Sequence, residues 1–167
     1  MNQINNSIKE NNWVKEIKLN TNYKDTLFIR IEEYKPIGIY FFNEKYFVFD
    51  ENGKIIDQIY NTNLSDKSLL IFKGNSSNLK ANSLINILKN NDFEKKYQIE
   101  SLEFINKRRW DINLFNDVKL LLSEEDPNKS IQNFVMIQNK LSETDINNIK
   151  TYDLRNLKKT ILINLND

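Results

Sequence analysis

Between Trp13 and Asp50 the chain reads WVKEIKLNTNYKDTLFIRIEEYKPIGIYFFNEKYFVFD, and no other stretch restricts the fold as much. Leu27, Ile29 and Ile31 alternate with Phe28, Arg30 and Glu32 ahead of Pro36. A repeat of two is that of an extended strand, whose successive side chains leave on opposite faces. The pattern predicts a sheet with one face buried and the other wet. It contains no reactive group. A chain of this kind is built to pack and to present surface.

The same reading predicts strands over 13–19 and 26–33, joined by a polar turn near Asn22. Segments 46–49 and 54–56 flank Asn52-Gly53, a dipeptide suited to the left-handed backbone of a two-residue hairpin. Residues 61–77 are mixed, with Leu69-Leu70-Ile71-Phe72 ahead of Gly74. Ala81, Leu84, Ile85 and Leu88 then fall on one helical stripe. Strands follow over 99–105, 110–115 and 118–122, with Asn116-Asp117 turning between the last two. Asp126-Pro127 opens a second helix, Asp as N-cap and Pro at the first helical position, with Ile131, Phe134, Val135 and Leu141 on its apolar side. Residues 152–154 and 160–165 make a last strand pair, and Ile4 and Ile8 sit at helical spacing near the start. Strands and helices in this order give an α+β chain.

Composition narrows the chemistry. The 167 residues suffice for one ordinary domain, or one domain and a fragment. There is no Cys and no His. Thiolate metal sites, cysteine nucleophiles, Ser-His-Asp triads and His-ligated zinc are therefore excluded. Gly38, Gly53 and Gly74 are too far apart for a phosphate-cradling loop. No apolar run approaches the ~20 residues that cross a bilayer. The net charge of +1 supplies no field to draw in nucleic acid. No catalytic residue, metal ligand or cofactor is expected.

Charged clusters each have a plain structural reading. Lys107-Arg108-Arg109-Trp110 could offer cations and an indole to nucleic acid, or start a strand with Trp110 in the core. Without a wider basic stripe, an arginine docking a protein carboxylate fits better. Glu32 and Glu33 are strand neighbours and point apart, so they cannot converge as an acid–base pair. Glu124-Glu125-Asp126 precede a helix and suit its dipole. Asp50-Glu51-Asn52-Gly53 lacks the ligand series of a calcium loop. The aromatic group Tyr40, Phe41, Phe42, Tyr46, Phe47 and Phe49 reads as core. The strand over 160–165 follows Lys158-Lys159; on a sheet edge, its unpaired N–H and C=O groups would template a partner strand.

Several of these pieces together resemble the FtsQ/DivIB family of bacterial cell-division proteins, most closely its FtsQ branch. They are Trp13-Val14-Lys15, Thr26-Leu27 through Glu33 with Pro36-Ile37, Asp50 and Gly53 in a hairpin, and Leu69-Leu70 through Gly74. Arg108-Arg109-Trp110-Asp111 and Tyr152-Asp153-Leu154-Arg155 complete the series. The resemblance implies the C-terminal half of a POTRA unit over 1–38 and a β domain over 39–167. That β domain would be an antiparallel sheet with helices packed on one face. The family's membrane anchor and first POTRA half lack counterparts here.

By the same resemblance the chain is a non-enzymatic scaffold of the division machinery. It would sit at the septum, held in the inner membrane by one upstream helix, with this region in the periplasm. Its implied partners are FtsB and, through it, FtsL. The implied contacts are Arg108 (or its neighbours Lys107 and Arg109) and Arg155, each meeting a partner carboxylate. Asn156 stands where the family often carries an aromatic contact. The implied docking edge is Thr160, Ile161, Leu162, Ile163 and Asn164. The competing readings are a POTRA-type module of outer-membrane assembly or secretion and, further off, an enzyme using Asp or Glu.

Overall fold

The computed structural model describes residues 10–60 and 69–164, together with Ile8. Ile4, positions 61–68 of the mixed segment and Leu165 lie outside the described residues.

The first two strands, β1 (Val14–Thr21) and β2 (Leu27–Glu33), pair antiparallel as a separate ribbon. Its turn is held by Asn22, whose Oδ1 accepts the N–H groups of Lys24, Asp25 and Thr26. The predicted dry face is not found. All of β2 is exposed, with Ile29 at 44% and Ile31 at 46%. The reason is that β1 is its one neighbour in the sheet, and no core cluster among the described residues includes its side chains. Alternation marks a strand correctly, but burial also needs a layer to pack against.

The second sheet has nine strands. In chain order they are β3 (Gly38–Phe42), β4 (Lys45–Phe49), β5 (Ile55–Ile59), β6 (Ile71–Lys73), β7 (Ile99–Ile105), β8 (Arg109–Leu114), β9 (Lys119–Leu121), β10 (Ile149–Asp153) and β11 (Ile161–Asn164). Across the sheet the order is β11-β10-β9-β8-β7-β6-β3-β4-β5. Helices α1 (Ser77–Asn90) and α2 (Phe93–Lys96) carry the chain from β6 to β7. Helices α3 (Pro127–Gln138) and α4 (Glu143–Asn148) carry it from β9 to β10. A crossover helix returns the chain to the same end of the sheet, so the strands it joins run parallel. This corrects the expectation of an antiparallel sheet: β6–β7, β9–β10 and β3–β6 are parallel, and the remaining ladders are antiparallel. The α+β class stands.

Register aligns one large side chain from each of eight adjoining strands. Phe47, Tyr40, Phe72, Leu102, Ile112, Leu120, Tyr152 and Leu162 face one another in turn from β4 to β11. The helices cover this row with Ala81, Leu84, Ile85, Leu88, Phe93, Ile131 and Phe134, all buried. Each fully buried Leu, Ile or Phe here contributes about 1.5–3 kcal/mol. On the opposite face Ile39, Val48 and Ile56 form a smaller core, against which Trp13 and Tyr34 of the ribbon pack.

Two turns differ from their predicted form; between β8 and β9 the Leu114 N–H donates to the Val118 carbonyl, so Phe115 joins Asn116-Asp117 in a three-residue loop. At Asn52-Gly53 only Gly53 takes the left-handed backbone (φ +79°), and the buried Asp50 shapes the turn by accepting the N–H groups of Asn52 and Lys54 at 3.0 and 2.8 Å. The two-residue turn with both positions left-handed is instead Asn43-Glu44, between β3 and β4. Gly74 has φ +94°, and a Cβ there would lie 2.4 Å from the Phe104 carbonyl oxygen.

Candidate functional site: a cationic groove beside an open sheet edge

Strand order leaves β11 and β5 as the two edges of the large sheet. They differ in what they offer. At β5, the Phe49 carbonyl is taken by the Ile37 N–H on the β3 side, so alternation turns the Gln58 N–H outward. That donor is already used, since the Asp57 carboxylate accepts it at 2.8 Å. The other Asp57 oxygen accepts the Trp13 indole N–H at 3.0 Å. Lys54 sits over the Tyr34 ring, 3.8 Å from its centroid, and also donates to the Tyr34 hydroxyl. A carboxylate and the base of the ribbon thus blunt β5, as natural sheets do with their edges.

At β11 nothing comparable is found among the described residues. The Leu154 N–H donates to the Leu121 carbonyl on β9. Alternation then turns Thr151 and Asp153 toward β11, where their register partners are Ile163 and Ile161. Leu162 and Asn164 therefore aim their N–H and C=O groups away from the sheet. Ile161 and Ile163 present side chains that are 51% and 40% exposed, while Leu162 packs partly against the core.

The start of β8, the ends of β9 and β10 and the start of β11 lie at one end of the sheet, because Asp111, Leu121, Asp153 and Ile161 are in register. A groove of about 1250 Å³ opens there. Arg108, Arg109, Arg155, Lys158 and Lys159 line it against Glu124, Glu125 and Asp153. Five cations against three carboxylates leave it positive.

Each arginine is held from within. Arg155 follows Leu154, which is fully buried. The Leu154 carbonyl accepts the Ser130 hydroxyl from α3 at 3.1 Å, and the same Ser130 oxygen accepts the Ser123 N–H at 3.0 Å. So α3 fixes the backbone where β9 ends and Arg155 begins. The Arg155 guanidinium forks onto Asp153, Nε to Oδ1 at 2.8 Å and Nη2 to Oδ2 at 2.6 Å, and its backbone N–H also reaches Oδ1 at 3.1 Å. These hydrogen bonds from Arg155 hold the Asp153 carboxyl below its ordinary value, and the carboxylate raises Arg155 in return. Arg108 is paired more loosely, with Glu124 at 3.2 Å, both side chains half exposed. Arg109 lies closer in, 3.3 Å from the buried Asp111, which Lys119 approaches at 3.4 Å.

Of the residues singled out from sequence, Arg108, Arg155, Asn156 and Ile161 meet in this groove. Thr160, Leu162, Ile163 and Asn164 continue along its neighbouring strand; Lys107 is not part of the lining. Asn156 uses its side-chain oxygen to accept the Lys158 N–H at 2.9 Å, and the Leu157 carbonyl accepts Asn133 of α3 at 3.3 Å, so it shapes the turn into β11. Trp110 is buried, tilted against Phe104 with ring centroids 4.7 Å apart, which removes its indole from any nucleic-acid role. Sequence reasoning passed over Asp153 and the Asp57–Trp13 contact. Asp153 was visible as a carboxylate two residues from an arginine at a strand end; the second contact spans 44 residues and had no local signal.

The family described as "Cell division protein FtsQ/DivIB, C-terminal" matches residues 40–155. The cell division protein FtsQ of Rickettsia conorii is 28% identical over 165 residues, covering 95% of this chain and 58% of that protein. The FtsQ proteins of Rickettsia felis and Rickettsia bellii are likewise 28% identical, with the same coverage. The chain thus spans about 58% of the length of these curated relatives. It belongs to the FtsQ/DivIB family of cell division proteins.

Proposed function

We propose that the chain is a non-enzymatic scaffold of the division machinery that docks the FtsB/FtsL subcomplex by strand addition at β11. The observation that carries this reading is the asymmetry of the two edges: β5 is capped, while Leu162 and Asn164 turn free main-chain groups outward beside a positive groove. Main-chain hydrogen bonds along an edge give affinity with little demand on the partner's sequence. Arg108 and Arg155 then set register by meeting carboxylates of the incoming strand. Residues 1–38 act as the C-terminal half of a POTRA unit and 39–167 as the β domain. No helix among the described residues is long and apolar enough to cross a membrane. In this reading a single upstream helix holds the protein in the inner membrane, with this region in the periplasm at the septum.

Titration of the protein with the FtsB ectodomain of the same genome tests the reading. Arg155→Ala should weaken binding by about 1–2 kcal/mol, less than for a fully buried pair because the Arg155 side chain is 51% exposed. Equal affinity for both proteins, with the fold intact by circular dichroism, would refute the role of Arg155.

A further inference from the structure

Resting on the docking reading, the geometry points to Asp153 as a positioning residue: it presents one edge of Arg155 to a carboxylate on the incoming strand. A guanidinium has two edges that can fork onto a carboxylate, one through Nε and Nη2 and one through the two Nη atoms. Asp153 occupies the first. Among the described residues, Nη1 has no protein partner, and Arg155 lines the groove next to Ile161, at the start of the open strand.

Three features make Asp153 a holder rather than a chance neighbour. Its side chain is 12% exposed, so it would be left in a poor environment if Arg155 swung away. It binds both the side chain and the backbone N–H of Arg155, which locks the χ angles to the main chain. Asp153 itself is anchored in β10, paired with Leu121 on one side and Ile161 on the other. An unheld arginine would lose rotamer entropy on docking; here that cost is met in the folding of the free protein. Arg108, Arg109, Lys158, Lys159, Glu124 and Glu125 line the same groove; of the neighbouring charges, Arg109 acts on Asp153 and the buried Asp111 acts on Arg155.

The test is a double-mutant cycle on binding to the same FtsB ectodomain, with wild type, Asp153→Asn, Arg155→Ala and the double variant. A parallel readout follows the Arg155 side-chain Nε and Nη signals by ¹⁵N NMR. Asn keeps one acceptor but loses the charge and the second oxygen. Asp153→Asn should weaken binding roughly five- to tenfold, and the double variant should be no weaker than Arg155→Ala. The Arg155 Nη signals should show restricted rotation in wild type and free rotation in Asp153→Asn. Asp153→Glu, which restores the charge on a longer stem, should recover part of the loss. Unchanged or tighter binding by Asp153→Asn, or effects that simply add, would overturn the positioning role while leaving the docking reading in place. Equal binding by wild type and Arg155→Ala would remove the positioning role together with that of Arg155, and binding by neither would remove the docking reading as well.

Discussion

The alternation of main-chain groups along β11 makes a prediction that side chains alone would not. Leu162 and Asn164 direct N–H and C=O groups outward, so an added strand would exchange two hydrogen bonds with each. At a net of about 0.5–1.5 kcal/mol per bond, four bonds supply about 2–6 kcal/mol. Replacing Asn164 by Pro deletes one outward donor, leaves the partner's carbonyl unpaired and puts a ring where the partner backbone would lie. The expected loss is about 1–3 kcal/mol, or roughly five- to 150-fold in Kd. Asn164 is exposed and its N–H takes no part in the β10 ladder, so the melting temperature should hold. Leu162→Pro should weaken binding similarly but also lower stability, since Leu162 packs against the core. Ile161→Pro is the contrast: its N–H faces Asp153, so the sheet itself should suffer. Calorimetric titration with the FtsB ectodomain, alongside thermal melts, separates the three. Wild-type affinity for both Asn164→Pro and Leu162→Pro would refute strand addition at this edge.

Two further outcomes are expected. Asp57→Ala uncaps the Gln58 N–H and unhooks Trp13, so stability should fall by about 1–2 kcal/mol, and light scattering should show mass rising with concentration as β5 strands pair between copies; an unchanged mass would mean that another device guards this edge. Arg155 depresses the Asp153 carboxyl, so the stability it confers is complete above the ordinary value of 3.8 and is lost as pH falls through the lower folded value. The difference in melting temperature between wild type and Asp153→Asn should be constant from pH 7 to 5 and close below about pH 3.8; a gap that persists at pH 2 would contradict the pairing.

Local pattern made most of the strands legible. The segment predicted over 99–105 is β7 to the residue, because Leu102 and Phe104 alternate with the partly exposed Glu103 and Ile105 under the helical layer. Asp126-Pro127 opened α3 as its chemistry demands, with Asp126 accepting the Lys129 N–H at 2.8 Å. Misreadings arose where distant packing decided the outcome. β3 lies in a nearly unbroken apolar run with no period, since β4 and β6 flank it and both its faces are covered. β6 is three residues long and defined only by its parallel neighbours. Asn52-Gly53 carries the turn signal, while Asn43-Glu44, with no glycine, takes the two-residue form because Phe42 and Lys45 are in register. At the candidate site, Arg108 is legible within the basic cluster Lys107-Arg108-Arg109, and Arg155 only through the family resemblance. Their meeting in one groove depends on the parallel return of β10 beside β9, which no local window contains.

The row from Phe47 to Leu162 has a mechanical consequence. Leu162 is its terminal stitch, the place where a chain pulled from β11 would begin to load the sheet. Tension along the strands is shared by all the β10–β11 bonds at once, whereas tension across them opens the bonds one at a time. The domain should therefore withstand a lengthwise tug far better than a sideways peel, and the direction from which force arrives matters as much as its size.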